Sequence, residues 1–331
     1  MLYEVDDAAP VLARLVPDVV RGFTIRKFCE PRGDFPLRVL VDDREEPQVV
    51  IGIVGAMLNV AGAIHRLNQA LADLLESRVE ARGGWPSAEI QAAWDQAGRR
   101  YLFFNASTYA SWRAARIAGF EPEPHDVDGY VAYQWHFLGA PRFAGLVRHP
   151  CREAGGTELL EHIKQGVPYD PEGNYVKLCL EHGPSFVCEL PDAEYARALE
   201  APAPPSGRAG LLERWFQEAP DSTKERPALP RLRAGWQPVC WSCTHLTGFM
   251  GMIYTPVELR RHGFARSLAA FQIDAMLARE GIACCHVIDF NTPSMLLVQS
   301  MGGVCTPEPI VWRNVYWPGE APREHDELKL P

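Results

Sequence analysis

The chemistry of this chain concentrates in a short cationic turn, Arg260-Arg-His-Gly-Phe-Ala-Arg266, set between a strand-like run and the start of an amphipathic helix. A helix start suits an anion, because its first N–H groups lack carbonyl partners and the macrodipole adds partial positive charge. Gly263 lets a ligand come close to the backbone. Arg260, Arg261, His262 and Arg266 gather positive charge in a chain that is acidic overall, and a pyrophosphate is the natural guest. The same features also describe a solvated helix end, so the turn takes its meaning from its surroundings. Further along, Asn291-Thr-Pro-Ser294 closes another strand-like run. Three side chains near these segments could accept a proton: His245, Glu258 and Asp289. Each also has a plain structural role open to it: His245 as a hairpin cap, Glu258 as a solvated loop acid, Asp289 as a cap for the helix beginning near Pro293.

Hydrophobic periodicity shows the elements that must hold these groups. Strands over Val239–Thr244 and Phe249–Thr255, joined by a turn at His245–Gly248, lead into the cationic turn. A helix over Phe264–Arg279 places Phe264, Leu268, Phe271 and Ala275 on one face, and Gly281 ends it. A buried strand over Ile282–Ile288, a helix over Pro293–Met301 and a strand over Ile310–Tyr316 complete this half. Upstream, strands are expected at Leu37–Val41, Pro47–Ile53 and Tyr101–Phe104, with helices over Ala56–Val79 and Thr108–Ala118. Strand character returns over Tyr175–Glu189, followed by a helix over Asp192–Glu200, a Pro-rich connector over Ala201–Gly207 and a short helix over Leu211–Gln217. Arg142–Asn174, broken by Pro, Gly and charge, has the character of a linker or insertion.

Composition limits what such a site can serve. A length of 331 residues allows two domains, and 47% hydrophobic with 23% charged residues is the make-up of a globular enzyme. A formal charge of −9 argues against broad affinity for nucleic acid or anionic membrane. The longest apolar run, Val49–Ile64, is interrupted by Gly52, Gly55, Asn59 and Gly62 and falls short of the roughly 20 residues of a membrane span. The acidic start, Met-Leu-Tyr-Glu-Val-Asp-Asp, is unlike a secretory signal or a presequence, and an intracellular, cytoplasmic protein is expected. Nine cysteines, an odd and scattered set, do not form a disulfide framework; Cys240 and Cys243 read as small apolar groups on a strand, and adjacent Cys284 and Cys285 face opposite sides. No cluster has metal-ligand spacing, so no metal is expected. Trp215, Trp236 and Trp241 could line an acyl pocket, but core packing is the commoner use of such residues.

Two motifs standing in register on these elements carry a resemblance. Arg260-x-x-Gly263-x-Ala265 resembles the pyrophosphate motif of the GNAT superfamily of acyl-CoA-dependent N-acyltransferases, between that fold's fourth strand and third helix. Asn291-Thr-Pro-Ser294, followed by Leu297 and Gly302, is similar to the segment after its fifth strand that contacts the pantetheine arm. Gln237-Pro-Val-Cys-Trp241, Thr247-Gly248, Met250, Glu258 with Arg260, and His262-Gly263 look like the glycine N-acyltransferase family; Leu211–Trp215 resembles the helix before those strands. Arg32–Val39 and Arg100–Phe104 are weakly similar to that family's N-terminal domain. The resemblance implies an α/β protein: a C-terminal GNAT fold, a mixed twisted sheet flanked by helices, over residues 185–318, and a degenerate, GNAT-like α/β domain over 1–184 with the linker or insertion near 142–174. Residues 319–331 form a polar tail.

It further implies transfer of an acyl group from acyl-CoA, the co-substrate, to the amine of glycine or a similar small amino acid by direct attack in a ternary complex. The other readings are a GNAT N-acetyltransferase with a different amine acceptor and a non-catalytic acyl-CoA-binding pseudoenzyme. Partners are small molecules, and mitochondrial location is a family alternative to the cytoplasm. By resemblance, Ile253, Tyr254, Thr255, Arg260, Arg261, His262, Gly263, Phe264, Ala265, Arg266, Ser267, Asn291 and Ser294 bind acyl-CoA. A backbone N–H within Met252–Tyr254 meets the developing oxyanion. The chain departs from the family at the catalytic step. The family's proposed Glu aligns with Phe249, and the common GNAT tyrosine that can protonate the leaving thiolate aligns with Val298, which leaves His245, Glu258 and Asp289 as substitute bases.

Overall fold

A computed structural model describes residues 1–18, 20, 22–30, 37–54, 57–76, 79–80, 91–92, 101–106, 109–122, 130–167, 173–200, 229–307 and 309–319. The chain divides into two compact units, residues 1–134 with 306–331 and residues 135–305. In chain order the first unit contains β1 (Leu2–Val5), α1 (Ala9–Leu15), α2 (Phe23–Phe28), β2 (Leu37–Val41), β3 (Val49–Val54) and β4 (Met57–Gly62). It continues with α3 (Ile64–Leu75), β5 (Val79–Glu80), β6 (Tyr101–Ala106), α4 (Tyr109–Ala118), β7 (Glu121–Pro122) and the first part of β8 (Tyr130–Leu138). The second unit contains β9 (Cys151–Ala154), α5 (Leu160–Lys164), α6 (Asn174–His182), β10 (Ser185–Pro191), α7 (Asp192–Glu200) and β11 (Trp236–Thr244). Then come β12 (Met250–Tyr254), α8 (Phe264–Glu280), β13 (Ile282–Ile288), α9 (Thr292–Ser300) and β14 (Val304–Cys305), and β15 (Ile310–Tyr316) returns to the first unit.

In the first unit the strand order is β5-β1-β2-β3-β4-β6-β15-β8, with β7 on β15. Every residue of β3 is buried, as its Val/Ile run, interrupted only by Gly52, requires of a strand covered on both faces. Leu67, Leu71 and Leu74 of α3 and Ala114 and Ala115 of α4 pack on the sheet residues Ile51, Leu58 and Val60. The stretch expected to be one helix over Ala56–Val79 is instead β4, a turn and α3. Gly62, at φ 144°, makes that turn: a Cβ there would stand 2.3 Å from the Gln48 carbonyl, so only glycine fits.

In the second unit the order is β8-β13-β12-β11-β10-β9, with β14 on β8, a mixed sheet flanked by helices as expected. Residues 142–174 belong to this unit. β9 pairs with β10, setting Cys151 opposite Cys188, and Asp274 of α8 accepts the Arg142 and Phe143 N–H groups, each at 2.8 Å. The strand expected over Tyr175–Glu189 is corrected to α6 followed by β10, because Val176, Cys179 and Leu180 are buried at helical spacing. Helix α8 is buried on two sides. Phe264 and Leu268 join Phe186, Val239 and Cys240, while Ala270, Ile273 and Leu277 join Phe137, Met250 and Val287. It closes on Gly281 at φ 69°, whose N–H bonds to the Leu277 carbonyl. The connector over Ala201–Gly207, the helix over Leu211–Gln217 with Trp215, and residues 320–331 of the polar tail lie outside the described residues.

Candidate functional site

Strand β12 is shaped differently from its neighbours. It runs antiparallel to β11 with Trp241 opposite Tyr254 and Cys243 opposite Gly251, so two residues, Met252 and Ile253, face Ser242 alone. This is a β-bulge, and Met252 carries it at φ 52°. On its other edge β12 runs parallel to β13, with Met250 and Cys285 as the register pair. At the bulge the main chain of Met252 and Ile253 leaves the regular ladder, which is what a backbone donor to a substrate oxygen requires.

After Tyr254 the chain makes a single 3-10 turn, Val257–Leu259, and enters the cationic turn. Arg261 at φ 73° and Gly263 at φ 85° are both left-handed, and the first helical bond of α8 is Ser267 N–H to the Gly263 carbonyl at 3.0 Å. The N–H groups of Phe264, Ala265 and Arg266 therefore have no carbonyl within the helix. Around Gly263 there is room: a Cβ would meet only His149 Nε2, at 3.9 Å. Arg260 turns back, donating Nε to the Thr255 carbonyl at 3.1 Å, while Arg261 and Arg266 are exposed. The residues present thus fit a diphosphate, with Arg260 tying the turn to β12 and two arginines left to meet the ligand.

The turn is braced from a segment that sequence reading could not place. His149 donates from Nε2 to the His262 carbonyl at 3.0 Å, and its ring lies 4.5 Å from that of Phe264. Arg148 N–H bonds to Ser267 Oγ at 3.0 Å. Nothing in the local sequence marks His149, since its partners lie more than a hundred residues away. Asn291 and Ser294 meet each other: the Asn291 side chain accepts Ser294 N–H at 3.2 Å and caps α9. Thr255 points its hydroxyl at Cys240 Sγ, 3.2 Å away, and burial pushes that thiol up to about 12.

The three candidate bases are not brought together. His245 precedes β12 and Glu258 follows it, so the strand's five residues, about 16 Å of chain, separate them. Glu258 and Asp289 are exposed. His245 is buried and engaged: Tyr175 Oη stands 2.7 Å from its Nδ1, and its ring stacks on Phe249 at 4.3 Å. Phe249 in turn lies 4.0 Å from His286. Loss of solvent lowers both histidines to about 3, His286 additionally through the neighbouring His245. Val298 is buried in the core. Trp241 is fully buried, its ring 5.4 Å from Tyr254 and 5.2 Å from His162, which is core packing; Trp236 is half-buried under Arg233. Among the described residues no group of His, Cys, Asp or Glu could hold a metal ion, and no helix is long and apolar enough to cross a membrane.

Residues 236–311 match the family described as FR47-like protein, a span that takes in β11, β12, the cationic turn, α8, β13 and α9. That match supports the GNAT superfamily for this segment. No curated protein matches the chain. Among solved structures, a Drosophila protein is 11% identical, with 95% of this chain and 97% of that chain covered and a TM-score of 0.52, which shows a shared fold. A GCN5-related N-acetyltransferase-like protein from Streptococcus suis is 15% identical over 92% of this chain and 98% of that one, TM-score 0.45. A tandem GNAT protein from the clavulanic acid biosynthesis pathway is 9% identical over 95% and 97%, TM-score 0.45.

Proposed function

We propose that the chain transfers an acyl group from acyl-CoA to the amine of glycine or a similar small amino acid, by direct attack within a ternary complex. The observation that carries this reading is the succession of a bulged strand, a left-handed turn and an unpaired helix start, within the segment that matches the FR47-like family. Each part answers a need of the reaction. The N–H groups of Phe264, Ala265 and Arg266, with Arg261 and Arg266, hold the diphosphate. Ile253, Tyr254 and Thr255 run beside the pantetheine arm, and Asn291 and Ser294 lie at its far side. A main-chain N–H within Met252–Tyr254 polarises the thioester carbonyl and stabilises the oxyanion. Positioning amine and thioester together supplies much of the acceleration without any side chain. Because all nine cysteines are thiols, a reducing, intracellular compartment suits the protein.

A second reading, an acyl-CoA-binding protein without turnover, is favoured by Phe249 and Val298, both buried, which stand where the glycine N-acyltransferase pattern has its Glu and where GNAT enzymes commonly have a tyrosine. Incubating the protein with acyl-CoAs of several chain lengths and a panel of amines, glycine and polyamines among them, while following free thiol release, separates the readings. Release that depends on glycine supports the first; release with another amine changes the acceptor; binding without release on any amine leaves only the second.

A further inference from the structure

We propose that His245, oriented by the Tyr175 hydroxyl, is the proton acceptor for the attacking amine, taking over from the carboxylate that Phe249 displaces. This rests on the acyl-transfer reading above. Of the three candidates, His245 alone is held in place. Its Nδ1 stands 2.7 Å from Tyr175 Oη, Phe249 stacks on its ring at 4.3 Å, and its main-chain N–H bonds to the Phe249 carbonyl at 2.9 Å. Its other nitrogen is aimed at β12: a Cβ on Gly251 would stand 2.2 Å from Nε2. The ring therefore occupies the space a side chain would take at residue 251, one position before the bulge at Met252. The bond to Tyr175 is made through Nδ1, so Tyr175 does not occupy Nε2.

The chemistry follows from that placement. In the tautomer with the proton on Nδ1, donated to Tyr175 Oη, Nε2 carries the lone pair. As the amine nitrogen bonds to the carbonyl carbon, its surplus proton passes to Nε2. The C–S bond then breaks, the sulfur leaves with the electron pair, and the imidazolium returns the proton to it, giving amide and free thiol. Burial keeps the resting ring neutral, so Nε2 carries its lone pair; the same burial makes the ring a weak base and its imidazolium a strong acid that gives the proton up readily. Tyr175 is a positioning residue in this scheme: it accepts from Nδ1–H in both charge states and fixes which nitrogen faces β12.

The test uses the full chain and two readouts. With acyl-CoA and the amine that supports turnover, His245→Gln is expected to lower kcat by at least about 100-fold with CoA affinity unchanged. Tyr175→Phe should lower kcat about 10-fold while leaving KM for acyl-CoA in place. Independently of turnover, ring 15N spectra of the wild type should show His245 protonated on Nδ1, and Tyr175→Phe should mix the tautomers. A kcat within threefold of wild type in His245→Gln, or a ring protonated on Nε2, overturns the proposal while acyl transfer stands. A wild type that binds CoA and releases thiol with no amine overturns both.

Discussion

Gly263 is the sharpest place to perturb the phosphate turn, because its geometry separates two effects. At φ 85° and ψ 5° it is left-handed, where an L-residue costs about 1–2 kcal/mol. A Cβ would meet nothing nearer than His149 Nε2 at 3.9 Å, so Gly263→Ala adds strain without a clash. If the turn relaxes to relieve that strain, CoA affinity falls about 5- to 30-fold. Gly263→Glu brings the same strain and a carboxylate beside the bound diphosphate, where repulsion of about 4 kcal/mol at 4 Å applies near a protein surface. The combined loss is about four orders of magnitude, beyond detection in most titrations. Isothermal titration of CoA into wild type and both variants, with thermal melts to show that each is folded, reads the order directly. A Gly263→Glu protein that binds CoA within threefold of wild type would refute the placement of the diphosphate.

Asn291→Ala removes the cap on α9 and should destabilise the protein by about 1 kcal/mol in urea denaturation, whereas Asn291→Asp, which keeps the acceptor, should stay near wild type. His245 and His286 sit at about 3 in the folded protein, below their ordinary 6.5. The unfolded chain binds protons there that the folded one refuses. Stability is complete above pH 6.5 and falls as pH drops toward 3, by up to about 1.4 kcal/mol per pH unit for each ring. Urea midpoints at pH 7 and pH 5.5 measure this, and equal midpoints would contradict the burial of these rings. Of the nine cysteines, Cys151 and Cys305 are half-buried and the others buried, so an aromatic disulfide reagent should label these two rapidly and the remainder only after denaturation.

Much of the C-terminal fold was legible because its elements are short, regular and closed by glycines. The strand Ile282–Ile288 and the helix from Phe264 to Gly281 stand where the pattern puts them. The errors have physical causes. Val49–Ile64 is apolar apart from Asn59 and its glycines, so Gly62, which parts β4 from α3, does not stand out from Gly52 and Gly55. Tyr175–Glu189 joins a helix to a strand through Gly183, and its apolar residues serve both periods. The cationic turn was visible as a local cluster. Its braces were not: His149 lies far upstream in the chain, and Tyr175 meets His245 across seventy residues. The role of Gly251 depends on the ring that fills its missing side chain, which no local pattern encodes.

The proposed acyl transfer requires the main chain at the start of α8 to grasp the diphosphate of CoA. Backbone amide spectra of the 15N-labelled protein, recorded with and without CoA, test it most directly. Phe264, Ala265 and Arg266 should show the largest changes, with Gly263 and Ser267 beside them. Saturating CoA that leaves these five amides in place, or that moves only resonances elsewhere, would put the diphosphate away from this helix start.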